Sequence, residues 1–199
     1  MSSLREPSRT EIDDFLSRQH DLPFSYAAVG ATRGTPPSGY VVDHRRVCLG
    51  HGAATFDAAC AALRRWEHFP EWTCVHSPTG VIEPGVVVAP TARVFALWWL
   101  NACRIVYVVE VSQPARRFGF AYGTLPGHVE RGEERFLVEW LDDDTVWFDL
   151  LAFSQPSRWW GWLAYPLVRQ QQRRFGRDAC AAIRDAVTRR TDVAPREQT

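Results

Sequence analysis

Hydrophobic and polar positions recur with two different periods along this chain, and the changes of period divide it. From Ser8 or Thr10 to about His20, the apolar Ile12, Phe15 and Leu16 fall at helical spacing. Thr10 can cap that helix, and Glu11 and Asp13 suit its positive end. Residues 40–49 read as extended, with Asp43 and Arg45 on one face and His44 and Arg46 on the other. A second helix is predicted over about 55–69, with Thr55 as cap, Phe56, Ala59, Cys60, Leu63 and Trp66 as its stripe and Pro70 as its stop. Then the period becomes two. Strands are predicted at 72–76, 86–89, 95–99 and 104–111, the last with Ile105, Tyr107, Val109 and Val111 on one face. After Pro166, Val168, Phe175, Ala179, Ala182, Ile183, Ala186 and Val187 restore the helical period. Arg169, Arg173, Arg177 and Arg184 are expected on the other side of that helix.

The stretch 118–136 stands at the centre of this pattern. Phe118, Phe120 and Tyr122 alternate with small residues, then Gly123, Pro126 and Gly127 break the strand. His128, Glu130, Glu133 and Glu134 follow beside Arg131 and Arg135 in what reads as a polar loop. A further strand begins at Phe136, and Asp142-Asp143-Asp144 turns the chain into another at 146–153. Strands joined by short turns pair antiparallel, and one face of their sheet needs cover. The long last helix supplies it. The expected fold is α+β, a curved antiparallel sheet gripping a long C-terminal helix, as one domain over 1–190 with a disordered tail at 191–199.

Composition narrows the function classes. The formal charge balances to +0, which gives no long-range attraction to nucleic acid. No apolar run approaches the length of a transmembrane helix, and the opening Met-Ser-Ser-Leu-Arg-Glu-Pro lacks the apolar core of a secretory signal. Cys48, Cys60, Cys74, Cys103 and Cys180 are scattered, odd in number and free of a C-x-x-C pair, which suits a reducing compartment. A cytoplasmic protein is expected. Every Lys+Arg position is an arginine, the side chain that pairs with carboxylates and phosphates through two parallel bonds.

Several motifs resemble a known family. Phe24-x-Tyr26 with Gly30-Ala31-Thr32, Leu49-Gly50-x-Gly52 and the whole stretch 118–136 look like the family called domain of unknown function nineteen-ninety, also uncharacterised protein family zero-five-four-eight. Ser154-x-Pro156, Tyr165-Pro166-x-Val168 and Arg173-Arg174-Phe175 match its C-terminal part. The resemblance spans roughly residues 24–182. It implies a Bet v 1/START-like, helix-grip fold and carries no reaction and no catalytic residue.

Site candidates therefore rest on chemistry. His128 and Glu133 are the candidate general acid or base. Tyr122, Thr124, His128, Glu130, Glu133, Glu134, Trp159 and Trp162 are the candidate ligand contacts. A divalent metal on the imidazole and carboxylates is disfavoured: their spacing matches no ligand signature, and the two arginines compete. No cofactor is expected. Ser154 and Cys103 are nucleophiles only in principle, since no Gly-x-Ser-x-Gly elbow exists. The uncharged run 159–165, rich in tryptophan, suits core, cavity mouth or membrane surface. Three functions follow. The first binds a small apolar or amphipathic molecule in a sheet–helix cavity. The second is a lyase, cyclase or hydrolase using the 128–134 loop. The third is a protein-interaction or peripheral membrane role.

Overall fold

The structure, a computed structural model, is described for residues 2–113, 115–157 and 165–193. A short strand, β1 (Ser2–Ser3), precedes helix α1 (Arg9–Gln19). The cap of α1 is Ser8 rather than Thr10: the Ser8 hydroxyl accepts from the Glu11 N–H while the Glu11 carboxylate accepts from the Ser8 N–H. This reciprocal box satisfies two amide donors where a lone Thr10 satisfies one. A single 3-10 turn, Ala31–Arg33, leads to strand β2 (Val41–His51), which runs straight into helix α2 (Gly52–Arg64). The junction lies at Gly52, whose φ of 80° only glycine adopts readily. Thr55 thus sits inside the helix, its hydroxyl donating back to the His51 carbonyl at 2.7 Å. The helix stops before Phe69 because Trp66 turns left-handed, with φ 61°, and folds its ring into the core.

The remaining strands are β3 (Thr73–His76), β4 (Val87–Val94), β5 (Leu97–Leu100), β6 (Cys103–Val111), β7 (Arg116–Thr124), β8 (Glu130–Trp140) and β9 (Thr145–Pro156), before helix α3 (Tyr165–Val193). Phe95 and Ala96 form the β4–β5 turn, both at positive φ, rather than opening a strand. All pairings are antiparallel in a 9-stranded sheet of order β1-β5-β4-β6-β7-β8-β9-β2, with β3 beside β4. The polar loop expected at 128–134 is a turn only through Val129; Glu130 already pairs with Pro156. A bulge between Ile105 and Tyr107 inverts the faces expected for β6. Ile105 and Val108 face the helices, whereas Tyr107 faces away. The helix α3 extends through Val193, beyond the expected start of the tail at Thr191.

One face of the sheet packs on α2 and α3. Phe118, Phe120, Phe136, Val138, Phe148 and Leu150 meet Ala59, Leu63, Ala179, Ile183, Ala186 and Val187 there. Each of these larger side chains stabilises the fold by roughly 1.5–3 kcal/mol on burial. A smaller core joins Ile12, Phe15 and Leu16 of α1 to Val87, Ala89, Leu100 and Leu125. Burial is uneven along α3. From Tyr165 to Phe175 no residue is fully buried, while Ala179, Ile183, Ala186 and Val187 are at most 2% exposed. Among the described residues, apolar burial against the sheet is therefore concentrated in the second half of α3.

Candidate functional site

Strand alternation divides the central acidic cluster between two faces. Glu133 lies on the face away from the helices and is 2% exposed. Its Oε2 accepts from the Tyr26 hydroxyl at 2.6 Å and the Gly30 N–H at 2.6 Å. Its Oε1 accepts from the Thr32 N–H at 2.9 Å and from the Thr32 hydroxyl. Thr32 also shares a hydrogen bond of 2.7 Å with Tyr107. Arg135, on the same face, donates to the Thr32 carbonyl at 2.9 Å and to Asp149 at 2.7 Å; Asp149 meets His44 at 2.7 Å. This network clamps the segment 24–34 onto the sheet. It explains much of the central motif: a Cβ at Gly123 would lie 2.1 Å from the Tyr26 hydroxyl, and one at Gly132 would lie 1.9 Å from the Phe153 carbonyl. Glu133 therefore holds structure, with its lone pairs occupied.

Glu130 and Glu134 face the helices. The Tyr122 hydroxyl donates to Glu134 Oε2 at 2.6 Å. Gln172 of α3 donates to Glu130 and, at 2.9 Å, to Ser154 Oγ. The Gln172 side-chain oxygen accepts from Arg169, and Arg169 donates to Asp43 through both terminal nitrogens, one at 2.8 Å. Arg169 thus faces the sheet, contrary to its expected place among the outward arginines. Burial pushes the carboxyls of Glu130 and Glu134 up to about 7, the nearby charge of Glu134 adding to the effect on Glu130. The Tyr122 phenol is pushed far up by burial and stays a donor. Its ring lies 5.4 Å from that of Phe136 and 6.4 Å from that of Trp66. Glu130 and Glu134 keep partial accessibility beneath the loosely packed first turns of α3.

The other candidates fall outside this group. His128 Nδ1 accepts from the Glu130 N–H at 2.9 Å, and burial pushes the imidazole down to about 4, so the ring is neutral at pH 7. Thr124 is bonded to Ser25 at 2.7 Å and accepts from the Gly132 N–H at 2.9 Å. Cys103 is fully buried and its thiol is raised well above the ordinary range by burial, which disfavours the thiolate a nucleophile needs. Trp159 and Trp162 lie outside the described residues. Among the described residues no group of three or more His, Cys, Asp or Glu side chains is placed to share a metal ion.

Sequence reasoning placed Asp43 in a separate charged strand group, put Arg169 on the outer side of the last helix and did not name Gln172; their meeting joins opposite ends of the chain. One signal was present: counting back in twos from Phe136 gives Glu134 and Glu130, and leaves Glu133 on the other face.

The family model described as domain of unknown function (DUF1990) matches residues 25–182. A UPF0548 protein of Dictyostelium discoideum is 32% identical over 94% of this chain and 96% of its own length. One of Deinococcus radiodurans is 36% identical over 89% and 94%. Among solved structures, the hypothetical protein jhp0584 of Helicobacter pylori has a TM-score of 0.50 at 14% identity, covering 73% of this chain and 85% of that one. Ara h 8.0201 scores 0.49 at 12% identity over 76% and 99%, and human STARD10 scores 0.48 at 11% over 94% and 82%. These structural likenesses concern the fold alone. With its model matched across most of the length and relatives aligned nearly end to end, the chain belongs to the DUF1990 family, whose members include the UPF0548 proteins.

Proposed function

We propose that the protein binds a small amphipathic molecule at the open, polar end of the space between the sheet and α3. Glu130 and Glu134, with Tyr122, Gln172 and Ser154 beside them, take its polar group. The half-buried rings of Trp66, Phe69 and Phe175 offer apolar surface to the rest. The observation that carries this reading is the pair of helix-facing carboxyls, partly accessible yet pushed up to about 7 by burial. Near neutral pH each can accept or donate a hydrogen bond, which suits an amine or hydroxyl on a ligand. Glu133 and Thr124 are engaged by backbone and hydroxyl partners, and His128 Nδ1 is taken by the Glu130 N–H, so this reading leaves those three out of the contact set. Five free cysteines agree with a reducing, cytoplasmic setting.

Native mass spectrometry of the protein as purified tests this. The expected result is a small organic adduct, lost in the E130Q/E134Q double variant. The reading is sunk if no adduct is present and a thermal-shift screen of amphipathic amines, alcohols and acids moves wild type and variant alike.

The same carboxyls favour a second reading, acid–base catalysis. A group titrating near working pH is efficient in either direction of proton transfer. Glu130 and Glu134 are then the acid–base candidates in place of His128 and Glu133. Unchanged turnover of a substrate found by the same screen, in E130Q/E134Q, removes that reading.

A further inference from the structure

Outside the carboxylate site, a concentration of arginines lies along the edge of the sheet. Strand β2 is the last strand on its side, and α3 runs beside it. Between them is an open groove of about 490 Å³ lined by His44, Arg45, Arg46, Arg177, Cys180 and Arg184, with Val47 and Ala181. Among the described residues no carboxylate lines it. Arg46 is matched by Glu139 at 3.1 Å, and His44 by Asp149. Arg45, Arg177 and Arg184 have no ion-pair partner among the described residues. Arg177 and Arg184 are seven residues apart, two turns of one helix face, and both are exposed. The Arg45 side chain lies against Gly176, where its aliphatic part fills the space of the missing Cβ and keeps the guanidinium at the groove. Arg45 and Arg184 both lie close enough to act on the Cys180 thiol; Asp149 acts on it in the opposite sense, but its carboxylate is already paired with Arg135 and His44.

A second arginine-lined concavity on the same helix provides the contrast. It is formed by Arg65, Arg189 and Arg190 with Glu67, and Glu67 pairs with Arg190 at 2.5 Å. There the protein supplies its own anion. In the β2–α3 groove it does not. Like charges held together without a counter-ion repel, and an anion that bridges them relieves the repulsion. Guanidinium forks match the oxygens of a phosphate, and three of them exceed what one carboxylate can satisfy.

We propose that the β2–α3 groove binds a phosphate-bearing ligand through Arg45, Arg177 and Arg184. The group is a multiply charged phosphate, soluble or on a lipid headgroup. The site is separate from the Glu130–Glu134 pair and stands whether or not that pair binds anything.

The test uses the full chain at low ionic strength, with inorganic pyrophosphate followed by calorimetry and vesicles of phosphatidylcholine doped with phosphatidic acid followed by co-sedimentation. The R177A/R184A variant removes two exposed guanidiniums, and R189A, in the other concavity, is the control. Melting curves establish that both variants fold. Pyrophosphate binding that weakens at least tenfold in R177A/R184A, unchanged in R189A and reduced by added salt, supports a soluble phosphate ligand. Vesicle binding with the same dependence supports a phospholipid headgroup. The proposal is overturned if neither probe binds, taking a Kd weaker than about 10 mM as no binding. Binding of either probe that R177A/R184A leaves unchanged overturns it equally.

Discussion

Glu133 fixes the backbone of a distant segment with one side chain. Two of its four hydrogen bonds come from backbone N–H groups and two from hydroxyls, and it is 2% exposed. Removing one partner of such a set leaves buried donors unsatisfied. In E133Q an amide N–H₂ must face a donor whichever way the side chain is turned. We expect a loss of roughly 3 kcal/mol, read as a fall in melting temperature of about 6–12 °C for a chain of this size. A melting temperature within two degrees of wild type would show that the carboxylate is not holding the segment. The residues of this clamp were legible as a motif, since Tyr26, Gly30, Thr32, Gly123, Gly132 and Glu133 all lie in the stretches that carried the family resemblance. Their division from Glu130 and Glu134 was legible only by carrying the alternation of β8 back from Phe136, against a run dense in glycine, proline and charge that reads as a loop. Where β8 begins is set by its pairing with Pro156 of β9, a partner across the sheet rather than a neighbour in sequence.

The long helix α3 has two halves held by different physics. From Ala179 to Val187 it is anchored by buried apolar side chains against α2 and the sheet. Its first turns are attached to the sheet through Arg169 on Asp43 and Gln172 on Glu130 and Ser154. Polar attachments beside a partly accessible space are the low-stability end of a helix. We expect D43N to leave the melting temperature nearly unchanged and to speed amide hydrogen exchange over residues 167–175 at least tenfold, while 179–187 stays protected. Equal acceleration in both halves would mean that the helix opens as one unit. The apolar stripe of this helix was readable from its spacing, as was the alanine-rich second half. The inward turn of Arg169 was not: a helical wheel places a charge outside by default, and only the partner Asp43, 126 residues away, makes the inward position favourable. The same holds for the bulge in β6 and the early start of α2, where register and a positive φ decide what periodicity cannot.

For the molecule as a whole, the buried titratable groups near the sheet–helix space oppose one another. Glu130 and Glu134 are raised to about 7 in the folded state, so from about pH 4.5 to 7 they hold protons that the unfolded chain has released. Their contribution to stability falls as pH rises through that window. His68 is fully buried among Phe69, Phe120, Phe136 and Phe148, with neither ring nitrogen partnered, and burial pushes it down to about 3. His128 is pushed down to about 4. Below about pH 6.5 the unfolded chain protonates both while the folded chain does not, so their contribution falls as pH drops. The two slopes have opposite signs and overlap between about pH 4.5 and 6.5. Wild type is therefore expected to show a nearly flat melting temperature there. Removing the carboxyls with E130Q/E134Q leaves the histidine limb exposed, and the melting temperature should fall on acidification from pH 6.5 to 5. His68→Leu keeps a similar volume, removes two unpartnered nitrogens and shifts the balance the other way, so its melting temperature should fall as pH rises from 5 to 7. Each limb is worth roughly 1–2 kcal/mol, the carboxyl limb after discounting for partial accessibility, or about 2–8 °C. Melting curves at half-unit steps of pH read both slopes directly. Curves for the two variants that run parallel to wild type would show that these four groups do not set the pH dependence. Slopes of the predicted opposite signs would establish that the folded chain holds protons on the carboxyls and withholds them from the histidines over the same pH range.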